Sequence, residues 1–123
     1  MTPAGKRAVI LFAHGSRDPL WHLPIEAVAR QMQASNTQLQ VRPAYLELSS
    51  PSLPDAAQSL VQLGYTHISV VPLFLGVGRH AREDLPRLIT QLRVHYPAVV
   101  FDLKPAVGED PRLIRLLASI AAE

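Results

Sequence analysis

Two histidines and a glutamate follow three strand-like runs in this chain. His14 comes directly after the apolar run Arg7–Ala13, Glu47 lies at the end of Gln38–Leu48, and His80 closes the glycine-containing stretch after His67–Leu73. Two imidazoles and a carboxylate are a common donor set for divalent cobalt, iron, nickel or zinc, and such a set can leave coordination positions open for a further ligand. Each residue also has a plainer reading as a capped or solvated loop side chain. The chemical reading gains weight because strand ends can deliver all three to one face.

The neighbouring residues suit a flat, acidic ligand. Gly15, Gly76 and Gly78 permit positive φ and a close approach of backbone to ligand, although they could simply make turns. Ser16 and Arg17 share the first loop with His14, and Arg79 and Arg82 flank His80. Guanidinium groups form two-pronged bonds to carboxylate and phosphate. Ser16, Arg17, Gly76, Gly78, Arg79 and Arg82 are therefore the candidate substrate contacts, with solvated surface arginines as the alternative. Gly76-Val77-Gly78 lacks the third glycine and the spaced acidic residue of a dinucleotide fingerprint, and no Gly-Lys-Ser/Thr occurs. No nucleotide is expected. His22, His67 and His95 read as structural or surface residues, and Trp21 as a core residue before a ligand wall.

The elements that would position these groups alternate along the chain. Arg7–Ala13 is continuously apolar after its first residue, as in a strand buried on both faces. Ile25, Val28, Ala29 and Met32 mark one face of a helix with Pro24 in its first turn. Gln38–Leu48 reads as a second strand, placed at a sheet edge by Pro43, which has no N–H for a ladder. Ser52 and Asp55 resemble a capping box ahead of the helical face Leu53, Ala57, Leu60 and Val61, which Gly64 ends. His67–Leu73 is a third strand. Leu85, Leu88, Ile89 and Leu92 mark a third helix, starting either near Asp84 or near His80 with a kink at Pro86. Val99–Leu103 is the fourth strand. Asp110-Pro111 caps a last helix whose core face is Leu113, Ile114, Leu117 and Ile120.

This βαβαβαβα order predicts an α/β fold, a single flavodoxin-like lobe with a four-stranded parallel sheet in the order 2-1-3-4 and helices on both faces. Ligands of such sheets bind beyond the carboxyl ends of the strands, near the switch point between strands 1 and 3, which is where His14, Glu47 and His80 fall. The chain has 123 residues and no cysteine, so residues 1–123 are read as one domain, with 1–5 as a loose end, and neither disulfides nor a thiol nucleophile operate. Apolar residues make up 48% and charged residues 18%, which fits a globular rather than a disordered chain. No apolar run is long enough to cross a membrane, and no lysine-rich run occurs, so neither membrane nor nucleic acid is an expected partner and the cytoplasm is the expected compartment.

Four stretches, AHGSRDP at 13–19, YLELSSPSLPDA at 45–56, PLFLGVGRHAREDLP at 72–86 and AVGEDPRL at 106–113, make the chain similar to the small CbiX-type chelatases. These class II chelatases include sirohydrochlorin cobaltochelatases and ferrochelatases. The resemblance implies a chelatase-like lobe and ATP-independent insertion of a divalent metal, Co²⁺ foremost with Fe²⁺ or Ni²⁺ as alternatives, into sirohydrochlorin for cobalamin or sirohaem biosynthesis. It implies His14 and His80 as catalytic and metal-handling residues, with Glu47 joining them on the metal. Longer relatives carry two such lobes, so the resemblance also implies a homodimer.

Three other readings compete. A non-enzymatic carrier of metal or tetrapyrrole would use the same histidine pair. A histidine-type phosphohydrolase also places His-Gly after a first strand, but it needs arginine immediately before that histidine, where this chain has Ala13. A response-regulator receiver needs an acidic pair after strand 1 and a phosphoacceptor aspartate after strand 3. This chain has His14 and a glycine-rich loop at those places.

Overall fold

The computed structural model describes residues 6–123; the loose end expected at 1–5 lies outside the described residues. Four parallel strands, β1 (Lys6–Ala13), β2 (Gln40–Tyr45), β3 (Tyr65–Pro72) and β4 (Val100–Leu103), form one sheet in the order β2-β1-β3-β4. The intervening helices are α1 (Leu23–Ser35), α2 (Leu53–Gln62) and α3 (Arg79–His95), and α4 (Pro111–Ala121) follows β4. Short 3-10 turns, Pro19–His22 and Val107–Glu109, lead into α1 and α4.

β1 is central because both of its faces are apolar, and Ala8 to Ala13 are all buried. Ile10 and Phe12 join Ile68 and Val70 of β3, Phe101 of β4, and Leu53, Leu60, Leu85 and Ile89 of α2 and α3 in the larger core. Full burial of each such side chain contributes about 1.5–3 kcal/mol. On the opposite face Val9, Leu11, Ala29 and Val41 form a smaller cluster under α1. Pro43 pairs with Leu11 on the edge strand β2, which needs no donor on its outer side.

Local signals hold at the helix ends. Ser52 accepts from the Asp55 N–H at 3.3 Å, Asp110 caps α4 from its side chain, and Gly64 closes α2 at φ 92°. The third helix takes the earlier of its two expected starts, with Pro86 inside it.

Other expectations are corrected. β2 is shorter than Gln38–Leu48, because the chain turns away after Tyr45 and Leu48 has φ 63°. Val28 is 41% exposed, since the buried stripe of α1 runs through Ala29. Trp21 is 50% exposed on its 3-10 turn and is no core residue. The expected core face of α4 is not buried in this lobe: Ile114 and Ile120 are each 54% exposed and Leu117 39%.

Candidate functional site

The carboxyl ends of β1, β2 and β3 deliver the singled-out residues to one edge of the sheet. His14 leaves β1 exposed, and its imidazole lies on the ring of Phe74, which follows β3, with centroids 4.4 Å apart and planes at 34°. Phe74 is buried and meets Phe12 edge-on at 5.9 Å, so a core side chain supports the imidazole from below.

The loops after β1 and β2 are tied together through backbone and side chain. The Leu46 N–H donates to the Ala13 carbonyl at 2.8 Å and the Glu47 N–H to the His14 carbonyl at 3.1 Å. Gly15, at φ 90°, is required here because a Cβ would lie 2.0 Å from the Glu47 carbonyl oxygen. Ser49 then clamps the first loop: its hydroxyl donates to the Ser16 carbonyl at 2.7 Å and accepts from the Ser16 N–H at 3.0 Å. His22 Nε2 reaches the same hydroxyl at 2.9 Å, and its ring stacks on Tyr45 at 4.6 Å. Burial, with the nearby Glu26 carboxylate, holds the Tyr45 phenol above its ordinary pKa.

His80 is exposed in the first turn of α3. Gly78 caps that helix at φ −66° and Gly76 has open space around it. The expected positive φ is thus found at Gly15 and not at Gly76 or Gly78. Arg17, Arg79 and Arg82 are exposed at the same edge. Arg79 makes a surface pair with Glu83 at 3.3 Å, and Arg82 lines a cavity of about 220 Å³ with Phe74, Lys104 and Glu109.

Backbone hydrogen bonding brings the His14 and Glu47 positions together; His80 arrives on a separate element. Among the described residues no three histidine, cysteine, aspartate or glutamate side chains form a ready metal cluster. The expected triad is therefore not preassembled. All three side chains are exposed.

Sequence reasoning missed Phe74, the Ser49–His22 clamp and Gly108. A Cβ on Gly108 would lie 1.8 Å from the Leu75 carbonyl oxygen, so glycine lets the turn before α4 press onto the loop after β3. Only the aromatic type of Phe74, next to a strand end, could have hinted at a platform.

Several exposed apolar residues occupy the loops after the first three strands. Trp21 is 50% exposed, Leu48 56% and Leu75 68%. An exposed apolar group rimmed by arginines suits a ligand with a greasy face and acidic edges.

The comparisons agree with this architecture. The CbiX protein from Marinobacter aquaeolei VT8 superposes with a TM-score of 0.80 at 34% identity over 94% of each chain. The sirohydrochlorin chelatase SirB from Bacillus subtilis subspecies spizizenii, solved with cobalt, superposes at 0.79 with 26% identity, covering 95% of this chain and 50% of that one. In sequence, a sirohydrochlorin ferrochelatase of Bacillus subtilis is 29% identical over 110 residues, 89% of this chain and 42% of the relative. A sirohydrochlorin cobaltochelatase of Methanopyrus kandleri is 32% identical over 82 residues, 67% of this chain and 57% of the relative. The chain thus spans about half the length of these two enzymes. The sequence model of the CbiX family matches residues 8–123, and the chain belongs to the CbiX family.

Proposed function

We propose that the chain is an ATP-independent chelatase that inserts a divalent metal into sirohydrochlorin, for cobalamin or sirohaem biosynthesis. Co²⁺ is its foremost metal substrate, with Fe²⁺ and Ni²⁺ as alternatives. Its compartment is the cytoplasm and its partner a second copy of the chain. The observation that carries the reading is the exposed His14 imidazole seated on Phe74, with Trp21, Leu48 and Leu75 exposed on the loops around it. Relatives named as sirohydrochlorin ferrochelatases and cobaltochelatases support the substrate.

Insertion removes two protons from pyrrole nitrogens as four metal–nitrogen bonds form, and the ligands that held the metal before must leave it. His14 and His80 supply lone pairs that hold the metal or accept those protons. Glu47 completes the metal site or acts as a base. Exposed donors on separate loops suit a metal that is handed on, because closed, fully coordinated sites are the structural ones. Holding metal and macrocycle together supplies proximity. Ser16, Gly76 and Gly78 leave room at the ligand's edge, and Arg17, Arg79 and Arg82 face its carboxylates.

The test is an anaerobic absorbance assay of sirohydrochlorin with Co²⁺, Fe²⁺ or Ni²⁺, with and without protein. Acceleration over the spontaneous reaction, lost in His14→Ala and His80→Ala, is the expected result. Tight binding without acceleration would identify a carrier, and near-wild-type rates in both variants would overturn the residue roles.

A further inference from the structure

Positive φ is uncommon outside glycine, because the Cβ of an L residue crowds a carbonyl oxygen there. Among the described residues this chain supplies glycine at two of the three places that adopt it, Gly15 at φ 90° and Gly64 at φ 92°. The third is Leu48, at φ 63°.

Hydrogen bonds fix the chain on both sides of Leu48. The Tyr45 N–H donates to the Pro51 carbonyl at 2.9 Å, which ties the two ends of the loop together. Before Leu48, the N–H groups of Leu46 and Glu47 donate to the carbonyls of Ala13 and His14. After it, the Ser49 hydroxyl bonds both the N–H and the carbonyl of Ser16. Leu48 is the apex between these anchors, and the bend falls on it.

The bend accounts for the φ and not for the side chain. Glycine or asparagine would take this conformation with less strain. A bulky residue persists there when contacts of its side chain offset the strain. The lobe offers Leu48 few of them. It is 56% exposed, and it belongs neither to the two core clusters nor to the partly buried residues packed on them. Leu46, two positions earlier, already packs on the larger core.

Leu48 directly follows Glu47, whose N–H is bonded to the His14 carbonyl, so it stands at the sheet edge where the His14 imidazole lies on Phe74. We infer that Leu48 is a ligand-binding residue, held at positive φ so that its side chain lies on the apolar face of the planar macrocycle that binds over His14. It selects ligands by that face, whereas the arginines act on the acidic rim. The ligand is that of the chelatase reading, on which the inference rests; the strain is independent of it. A residue kept strained for its ligand has a distinct signature: releasing the strain stabilises the fold and weakens binding. A leucine that served packing alone would lose stability on substitution.

The test uses the full chain with Leu48→Asn, Leu48→Gly and Leu48→Met. Asparagine tolerates the conformation without loosening the unfolded chain as glycine does. Leu48→Asn should raise the urea midpoint. Leu48→Asn and Leu48→Gly should both raise the KM and the metal-free dissociation constant for sirohydrochlorin about tenfold, the order expected for losing one leucine's contact with a ligand, and change kcat less. Leu48→Met keeps an apolar side chain at the same φ and should recover most of the lost affinity without the gain in stability. A midpoint that fails to rise in Leu48→Asn would overturn the inference, as would an unchanged KM and dissociation constant. A fall in native mass by light scattering would do the same, by assigning the side chain to a contact between copies. A parent chain that neither binds nor converts sirohydrochlorin removes the chelatase reading and this ligand with it. A parent that does both, beside variants that bind as it does, removes the inference alone.

Discussion

The His14 and Phe74 rings lie against each other at a 34° tilt, with centroids 4.4 Å apart, although one follows the first strand and the other the third. Phe74 is at once a core side chain and the floor of the imidazole. Exposed histidines lose orientation through free rotation about χ1 and χ2, and an aromatic floor restricts that freedom without charge or hydrogen bond. The contact links core packing to the chemistry at the sheet's edge.

Phe74→Leu should separate the two roles. It keeps an apolar side chain of similar size and should cost under about 1.5 kcal/mol. The imidazole loses its floor, so the chelation rate at saturating metal should fall by more than the small loss of folded protein explains. Denaturant unfolding beside the absorbance assay checks this. A variant that is less stable but fully active would show that Phe74 serves the core alone.

Gly15 and Gly76 both sit in site loops and should respond oppositely to alanine. At Gly15 the added Cβ meets the Glu47 carbonyl at 2.0 Å and φ is 90°, whereas Gly76 has nothing within 4 Å. Gly15→Ala must move the β2 loop and should destabilise by at least about 1–3 kcal/mol. Gly76→Ala should stay within about 0.5 kcal/mol. Urea unfolding of both variants decides the matter, and equal midpoints would contradict the close approach.

Which features could be read from the sequence follows from the range of the forces behind them. The strand order and the edge position of β2 followed from continuous apolar runs, from the handedness of crossovers and from Pro43, none of which needs a distant partner. The caps at Ser52 and Asp110 act within one turn and were legible for the same reason. His14, Glu47 and His80 could be placed on one edge by topology, but not assembled, because a ligand set depends on side-chain directions that periodicity does not carry. Phe74 escaped for a related reason, since its contact with His14 spans two strands. The apolar face of α4 was visible as a stripe; that its own lobe would leave it bare was not, because a hydrophobic period says that a face needs cover and not whose surface supplies it. Trp21 failed similarly, its indole being left outside by a 3-10 turn with no buried residue.

The Ser49 hydroxyl joins Ser16 and His22 across the two site loops. Ser49→Ala removes both bonds to Ser16 and leaves His22 Nε2 without this partner. A loss of about 1–3 kcal/mol is expected for such partly buried groups. The substitution should also speed amide exchange at Ser16 in hydrogen-exchange measurements. His22→Ala, which spares the Ser16 bonds, should change that exchange less. Equal exchange in the two variants would place the clamp on the Tyr45 stack instead.

The cap of α4 gives a pH signature of defined sign. The Arg112 side chain bonds both carboxylate oxygens of Asp110 and its N–H donates to Oδ1 at 2.8 Å, which together lower the carboxyl from 3.8 to about 2. A depressed acid contributes stability that is complete above its unfolded value and is lost as pH falls through its folded value. The cap should therefore be fully present above about pH 4 and fade towards about pH 2. Because the pair is exposed, the contribution is small and should shrink further in high salt. Far-ultraviolet dichroism across that window should show Asp110→Ala starting with less helix and changing less with acid than the parent. Identical acid titrations in the two proteins would mean that the Asp110 carboxylate does not hold the first turn of α4.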